Sequence, residues 1–244
     1  LQLVDGDGRR HSTVSDHRGE ARLRGLPDGE YTIFADREGH RPEVAVAAEL
    51  VVASSAVPDA DPELVAAREA GIQVWRRPEL LQALTGRLPT IGATGTHGKT
   101  TTTALLIVAL RAAGEDPSFI VGGDIAELNT NGHFGSENLL VIEADEAFRT
   151  FEHLDLKGLV VTNVEPEHVE HFGSEQELMQ SFVTVACNVA GPVVACADDP
   201  GSLHVAKEAG SVTYGTSPDA DWRMIGVEAV EAGIRFQLVG KDQE

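Results

Sequence analysis

The consecutive residues Gly92-Ala93-Thr94-Gly95-Thr96-His97-Gly98-Lys99-Thr100-Thr101 combine a Gly-rich turn with a lysine and a run of hydroxyls. That combination suits a polyphosphate. Gly95 and Gly98 let backbone amides approach phosphate oxygens closely, and a helix starting there adds a favourable dipole. Lys99 places a cation on the terminal phosphates, and the Thr100 hydroxyl is suited to magnesium. The strict phosphate-loop pattern wants a glycine where this chain has Ala93. The context compensates: an apolar run precedes the loop, an amphipathic stretch follows it, and Thr100-Thr101-Thr102-Thr103 extends it. The alternative is a Gly-rich turn with a chance lysine.

A nucleotide site of this kind needs further magnesium ligands at a strand end. Leu139-Leu140-Val141-Ile142 runs into Glu143-Ala144-Asp145-Glu146, which puts carboxylates where a buried strand emerges. A solvated acidic turn is the plainer reading. The apolar run Leu159-Val160-Val161-Thr162-Asn163 leads likewise into Val164-Glu165-Pro166-Glu167-His168. A lone histidine is usually structural, whereas His168 in an acidic strand-end loop is a candidate for metal or phosphoryl contact.

These residues require alternating strands and helices to carry them. Leu50–Ala53 reads as a buried parallel strand, and Asp61-Pro62-Glu63 as a capped helix start. Further strands are expected at 72–75, 90–93, 119–121, 139–142, 159–162 and 193–195. Helices are expected at 78–84, 99–113 and, from a capping box of Ser174 and Glu177, to about Val189. After Tyr214 the pattern alternates, with Ile234, Phe236 and Leu238 on one strand face. Residues 1–43 differ: short apolar alternations between the turn signals Asp5-Gly6-Asp7-Gly8, Pro27-Asp28-Gly29 and Glu38-Gly39 read as short antiparallel strands. The first of these runs lacks the closing Glu of a calcium loop and reads as a plain turn.

Composition narrows the function. The chain has 244 residues, 42% hydrophobic and 24% charged, enough for one large domain or one domain with a small partner. A net charge of -20 argues against a nucleic-acid partner, because that polyanion needs clustered Lys and Arg. Any polyphosphate must therefore be held by backbone amides, a few placed cations and metal ions. No apolar run approaches the roughly 20 residues that span a bilayer, so no membrane insertion is expected. No basic-then-apolar leader opens the sequence, and Cys187 and Cys196 read as buried thiols of a reducing compartment, so a cytoplasmic location is expected. A start at Leu1 rather than Met reads as a fragment.

Taken in order, these motifs resemble the Mur ligases, which build the peptide of bacterial peptidoglycan. The resemblance spans about residues 47–240. It is carried by GTHGKTTTT, SSAVP with DPELVAAREAGI (54–72), RRPELL (76–81), VGGDIAELNTNGHFG (121–135), EADE (143–146), TNVEPEHVEHFGS (162–174) and CADDP (196–200). It implies an α/β fold: a phosphate-loop central domain with a mostly parallel sheet flanked by helices, beside a small β-rich N-terminal segment. The implied division is 1–43, a segment of uncertain origin; 47–86, a remnant of the Rossmann-like domain for the UDP substrate; and 88–244, the central ATP-binding domain, C-terminally truncated.

The implied cofactors are ATP and Mg2+. Gly95, Thr96, His97, Gly98, Lys99, Thr100 and Thr101 would bind the phosphates, and Lys99, Glu143 and His168 would carry the chemistry. Thr100 and Glu143 would hold one magnesium, and His168 would help hold a second metal. Asn131 falls in a segment that resembles a muramate-substrate loop. The histidine at 97 is similar to the alanine-adding branch, whose substrates are UDP-N-acetylmuramate and L-alanine. A recycling ligase that adds a peptide to the same acceptor, and a non-catalytic ATP-binding module, are the alternatives. The glycine-rich loop that binds UDP and the C-terminal domain are absent from the 244 residues, so the fragment is expected to bind ATP without ligating. Residues 1–38 look similar instead to a carboxypeptidase-regulatory β module, through LPDGEYTIFADREGHRP. Ala147 stands where the family commonly has Ser, and Glu167 and Glu170 where Asp is common.

Overall fold

The computed structural model describes residues 2–4, 10–12, 20–26, 29–34, 48–125, 127–128, 130–167, 169–231 and 233–241. The Asp5–Gly8 run, Pro27-Asp28 and Glu38-Gly39 lie outside them. In chain order the elements are β1 (Gln2–Val4), β2 (Arg10–Ser12), β3 (Glu20–Leu26), β4 (Gly29–Phe34), β5 (Ala48–Ala53), α1 (Pro62–Glu69), β6 (Gln73–Arg76) and α2 (Arg77–Thr85). Then follow β7 (Thr90–Thr94), α3 (Lys99–Ala112), β8 (Pro117–Ile125), β9 (Thr130–His133), β10 (Ser136–Glu143), β11 (Gly158–Val161) and α4 (Glu175–Asn188). The last are β12 (Val193–Cys196), α5 (Pro200–Ala209), β13 (Val212–Gly215), β14 (Trp222–Val230) and β15 (Gly233–Gly240). None of the described helices is long and apolar enough to cross a membrane.

The chain divides into two compact units, Leu1–Leu88 with Leu110–Leu140, and Pro89–Ala109 with Val141–Glu244. In the first, β1 and β2 pair antiparallel, and a separate sheet has the order β3-β4-β5-β6. Only the β3–β4 pairing in that sheet is antiparallel. The continuous apolar run Leu50–Ala53 is buried along its whole length, as a strand covered on both faces must be. Val51, Ala53, Val57, Leu64 and Ala67 form its core with Ile72 and Val74. Asp61 caps α1 as its sequence promised, with its carboxylate accepting from the Glu63 amide at 2.9 Å. The antiparallel pair β8–β9 also belongs to this unit.

The second unit is built on a mostly parallel sheet flanked by helices. Its strand order runs β15-β14-β13-β12-β11-β7, with the end of β10 on the far side of β7. The β7–β11, β11–β12, β12–β13 and β13–β14 pairings are parallel, and β15 returns antiparallel. Ser174 caps α4, accepting from the Glu177 amide at 3.2 Å. The buried face of α4 places Phe182 edge-on to Phe151, with ring centroids 5.0 Å apart. Phe151 also meets Phe172 edge-on at 6.5 Å, and Phe151 and Phe182 are both almost fully buried. The 10-residue helix α5 has no counterpart among the sequence expectations; Asp199 caps it and Gly210 ends it in the left-handed conformation.

The cysteines depart from expectation. Cys187 is exposed and Cys196 half-buried, and both are free thiols. Cys187 lies in the last turn of α4, one turn beyond the packed residue Val183. On β15, Ile234, Phe236 and Leu238 alternate as predicted. Yet they are 70%, 47% and 50% exposed, so their shared face points to solvent.

Candidate functional site

The site grows from strand order. β7 lies between β11 and the end of β10, so chain-consecutive strands depart to opposite sides of it. Crevices at such reversals, beyond the carboxyl ends of strands, are where α/β sheets bind ligands. The Ala144 amide donates to the Ala93 carbonyl at 2.9 Å, and the Thr162 amide to the Thr94 carbonyl at 3.0 Å. Those two bonds align the exits of β10 and β11 with that of β7. Three segments therefore meet: 94–98, 144–146 and 162–167.

The loop from Gly95 to Gly98 is held in place from the β11 side. The Thr96 amide donates to the Asn163 carbonyl at 3.0 Å, and the Thr96 hydroxyl accepts from the Glu165 amide at 2.8 Å. The Asn163 side chain spans His97, accepting from its amide at 2.8 Å and donating to its carbonyl at 3.0 Å. The Thr162 hydroxyl shares its proton between the His97 carbonyl at 2.7 Å and the Thr94 carbonyl at 3.1 Å. This packing explains Gly95: at φ 133°, a Cβ there would collide with the Thr162 hydroxyl. Gly98, at φ 83°, has open space around it and is required for its backbone angle alone. The imidazole of His97 is exposed and lies 3.4 Å from Glu167.

Lys99 opens α3, and its side chain folds back over the loop. The ammonium donates to the Gly95 carbonyl at 2.8 Å and meets the Glu146 carboxylate at 2.8 and 3.0 Å. Thr96 O follows at 3.3 Å and Asp145 at 3.9 Å. Glu146 is only 2% exposed. Burial pushes its carboxyl above the usual range, against the opposing pull of the Lys99 hydrogen bond. Thr100 and Thr101 are exposed on the first turn of α3, while Thr103 turns inward and donates to the Lys99 carbonyl at 2.9 Å. Glu143 ends β10, with its Oε1 shielded from solvent.

Of the predicted residues, Gly95, Thr96, His97, Gly98 and Lys99 share one hydrogen-bonded loop, with Thr100 and Thr101 directly behind it. His168 lies outside the described residues. Asn131 is half-buried on β9, in the other unit. Its neighbour His133 is nearly buried, with Nε2 2.9 Å from Asp116, and Arg111 reaches the same carboxylate oxygen at 3.4 Å.

The Mur ligase middle-domain profile matches residues 93–244, and the profile of the Mur ligase family catalytic domain matches residues 31–87. The chain belongs to the Mur ligase family. It is 40% identical over 207 residues to a UDP-N-acetylmuramate–L-alanine ligase of Acidothermus cellulolyticus, covering 82% of this chain and 43% of that protein. A ligase of the same name from Rhodococcus opacus is 41% identical over 197 residues, covering 77% of this chain and 39% of that one. Among solved structures, the UDP-N-acetylmuramate–alanine ligase MurC of Thermotoga maritima superposes with a TM-score of 0.71 at 26% identity. That match covers 80% of this chain and 45% of the other. The chain thus spans less than half the length of the curated relatives it matches.

In this Mur ligase chain, sequence reasoning missed three residues that shape the loop: Glu146, Thr162 and Asn163. All three stood inside motifs already singled out. The available signal was adjacency, since Glu146 follows Glu143 by one helical turn's worth of residues, and Thr162-Asn163 closes a core strand. Nothing in their types announced that they face a loop 47 residues away for Glu146 and 65 for Thr162, separations read from the Lys99–Glu146 and Thr162–His97 hydrogen bonds.

Proposed function

We propose that this chain is the ATP-binding part of a ligase that joins L-alanine to the carboxylate of UDP-N-acetylmuramate through an acyl phosphate. The observation that carries the reading is the braced loop 95–98 with Lys99 folded across it, in a chain 40% identical to a ligase of that name. A carboxylate attacking ATP meets like charge, and negative charge spreads over the transferring phosphoryl group. Lys99 offsets that charge, and the amides at the start of α3 fix the phosphate geometry, since those of Thr96 and His97 already donate to Asn163. The acyl phosphate then offers a good leaving group to the amine of the amino acid, so no protein nucleophile is required.

Thr100 and Glu143 would hold magnesium. A hydroxyl and a carboxylate are the hard oxygen donors that this ion prefers, so the donor set fits. When bound, the ion neutralises phosphate charge and orients the terminal phosphoryl group. We assign His168, by family resemblance, to a second metal beside the substrate carboxylate, and Asn131 to the muramate substrate. Residues 47–86 are assigned to the UDP-substrate domain and 88–244 to the ATP-binding domain of a cytoplasmic enzyme.

Calorimetric titration tests the nucleotide half. The 244-residue chain binds Mg-ATP, and Lys99→Ala weakens binding by more than about tenfold, the scale of a lost charged hydrogen bond. Equal affinities would remove the loop assignment. The chain covers 43% of its Acidothermus relative, and on its own it is expected to bind without ligating. Phosphate release that requires both UDP-N-acetylmuramate and L-alanine would overturn that expectation. Release that requires a peptide in place of L-alanine would point to the recycling branch.

A further inference from the structure

An ammonium group has three protons to donate, and on Lys99 the protein already engages them all. The Gly95 carbonyl and both Glu146 oxygens lie at 2.8 to 3.0 Å, with the Thr96 carbonyl close behind. The two carbonyls belong to the loop itself. Glu146 comes from the segment after β10 and is the charged partner. At 2% exposure it has no route to water as an alternative to Lys99. A buried carboxylate that loses its cation is costly to leave charged.

We propose that Glu146 is a positioning residue that holds Lys99 as a stand-in for the terminal phosphate. An arriving nucleotide must therefore compete with this carboxylate for the ammonium. The inference rests on the assignment of the loop to ATP phosphates and adds a cost that the loop alone does not carry. ATP brings two phosphates within reach of Lys99 and displaces Glu146 more fully than ADP, which brings only one. Glu146 thereby sets how strongly the site separates ATP from ADP.

The test is calorimetric titration of the 244-residue chain with Mg-ATP and Mg-ADP, using wild type, Glu146→Gln and Asp145→Asn. Glu146→Gln should bind Mg-ATP roughly tenfold more tightly, from the weakened charged hydrogen bond, and change Mg-ADP affinity by less than about twofold. Asp145 lies 3.9 Å from Lys99 and is half-exposed, so Asp145→Asn removes the same charge without releasing the lysine and should stay within about twofold for both. The proposal is overturned if Glu146→Gln binds Mg-ATP no more tightly than wild type. It is equally overturned if Asp145→Asn, or the ADP affinity of Glu146→Gln, tightens as much. Failure of the wild-type chain to bind Mg-ATP would instead remove the loop assignment itself. Circular dichroism checks the fold of each variant. If Glu146→Gln does not fold, Glu146→Asp replaces it: the charge is kept and the reach shortened, and tighter Mg-ATP binding is again required.

Discussion

At the scale of single residues, what was legible was the chemistry that a residue type announces. Gly95, Gly98, Lys99 and Thr100 read as a phosphate loop because few other ligands need that combination of bare backbone, cation and hydroxyl, and the structure joins Gly95 and Lys99 by a hydrogen bond. Asn163 and Thr162 declare nothing by type, because amides and hydroxyls serve any backbone. Their role comes from standing at the exit of β11, and that depends on which strand lies beside β7. The role can be measured. Asn163→Ala removes two hydrogen bonds to the His97 backbone, at 2.8 and 3.0 Å, in an exposed position. Mg-ATP affinity should fall about tenfold as the loop loses its brace, while the melting temperature moves by only a few degrees. Unchanged affinity in calorimetric titration would mean that Thr162 and Glu165 suffice to hold the loop.

At the scale of elements, periodicity and caps gave most boundaries to within a few residues. Asp61 before α1, Ser174 before α4 and the apolar run before the phosphate loop are local signals, and local structure obeyed them. Helix α5 is a miss of a local signal: Asp199-Pro200 repeats the cap of Asp61-Pro62 and went unread. What only the folded chain shows is that Asp199 accepts from the Val164 amide at 3.0 Å as well as from the Ser202 amide at 2.6 Å. One carboxylate thus caps a helix and pins the segment that carries Glu165 and Glu167. The aromatic cluster of Phe151, Phe172 and Phe182 is likewise a tertiary fact, since the three residues come from separate segments. Phe151→Ala should destabilise the chain by about 3–5 kcal/mol, the usual cost of emptying a buried aromatic site. Urea unfolding followed by circular dichroism measures it, and a loss below about 1 kcal/mol would show that the site collapses around the gap.

At the scale of the whole molecule, alternation on β15 correctly gave a strand but not its surroundings. A period of two shows that Ile234, Phe236 and Leu238 share a face; it cannot tell a face turned to the core from one turned to water. Composition carries a different kind of information: a net charge of -20 leaves backbone amides, a few placed cations and metal ions as the means of holding any polyphosphate. The same charge bears on the ribbon. Among the described residues β15 ends the strand order, with three exposed apolar side chains on one face, a geometry that invites a second strand to pair. Mutual repulsion between copies opposes that pairing only while the charges are unscreened, over about 10 Å at 0.1 M salt. Sedimentation velocity should therefore show monomers in dilute buffer and growing assemblies near about 1 M salt, where the screening length shrinks to about 3 Å. Ile234→Lys should keep the chain monomeric throughout. For anyone purifying this protein, the consequence runs against habit: added salt, the usual remedy for sticky proteins, is here the condition that brings copies together.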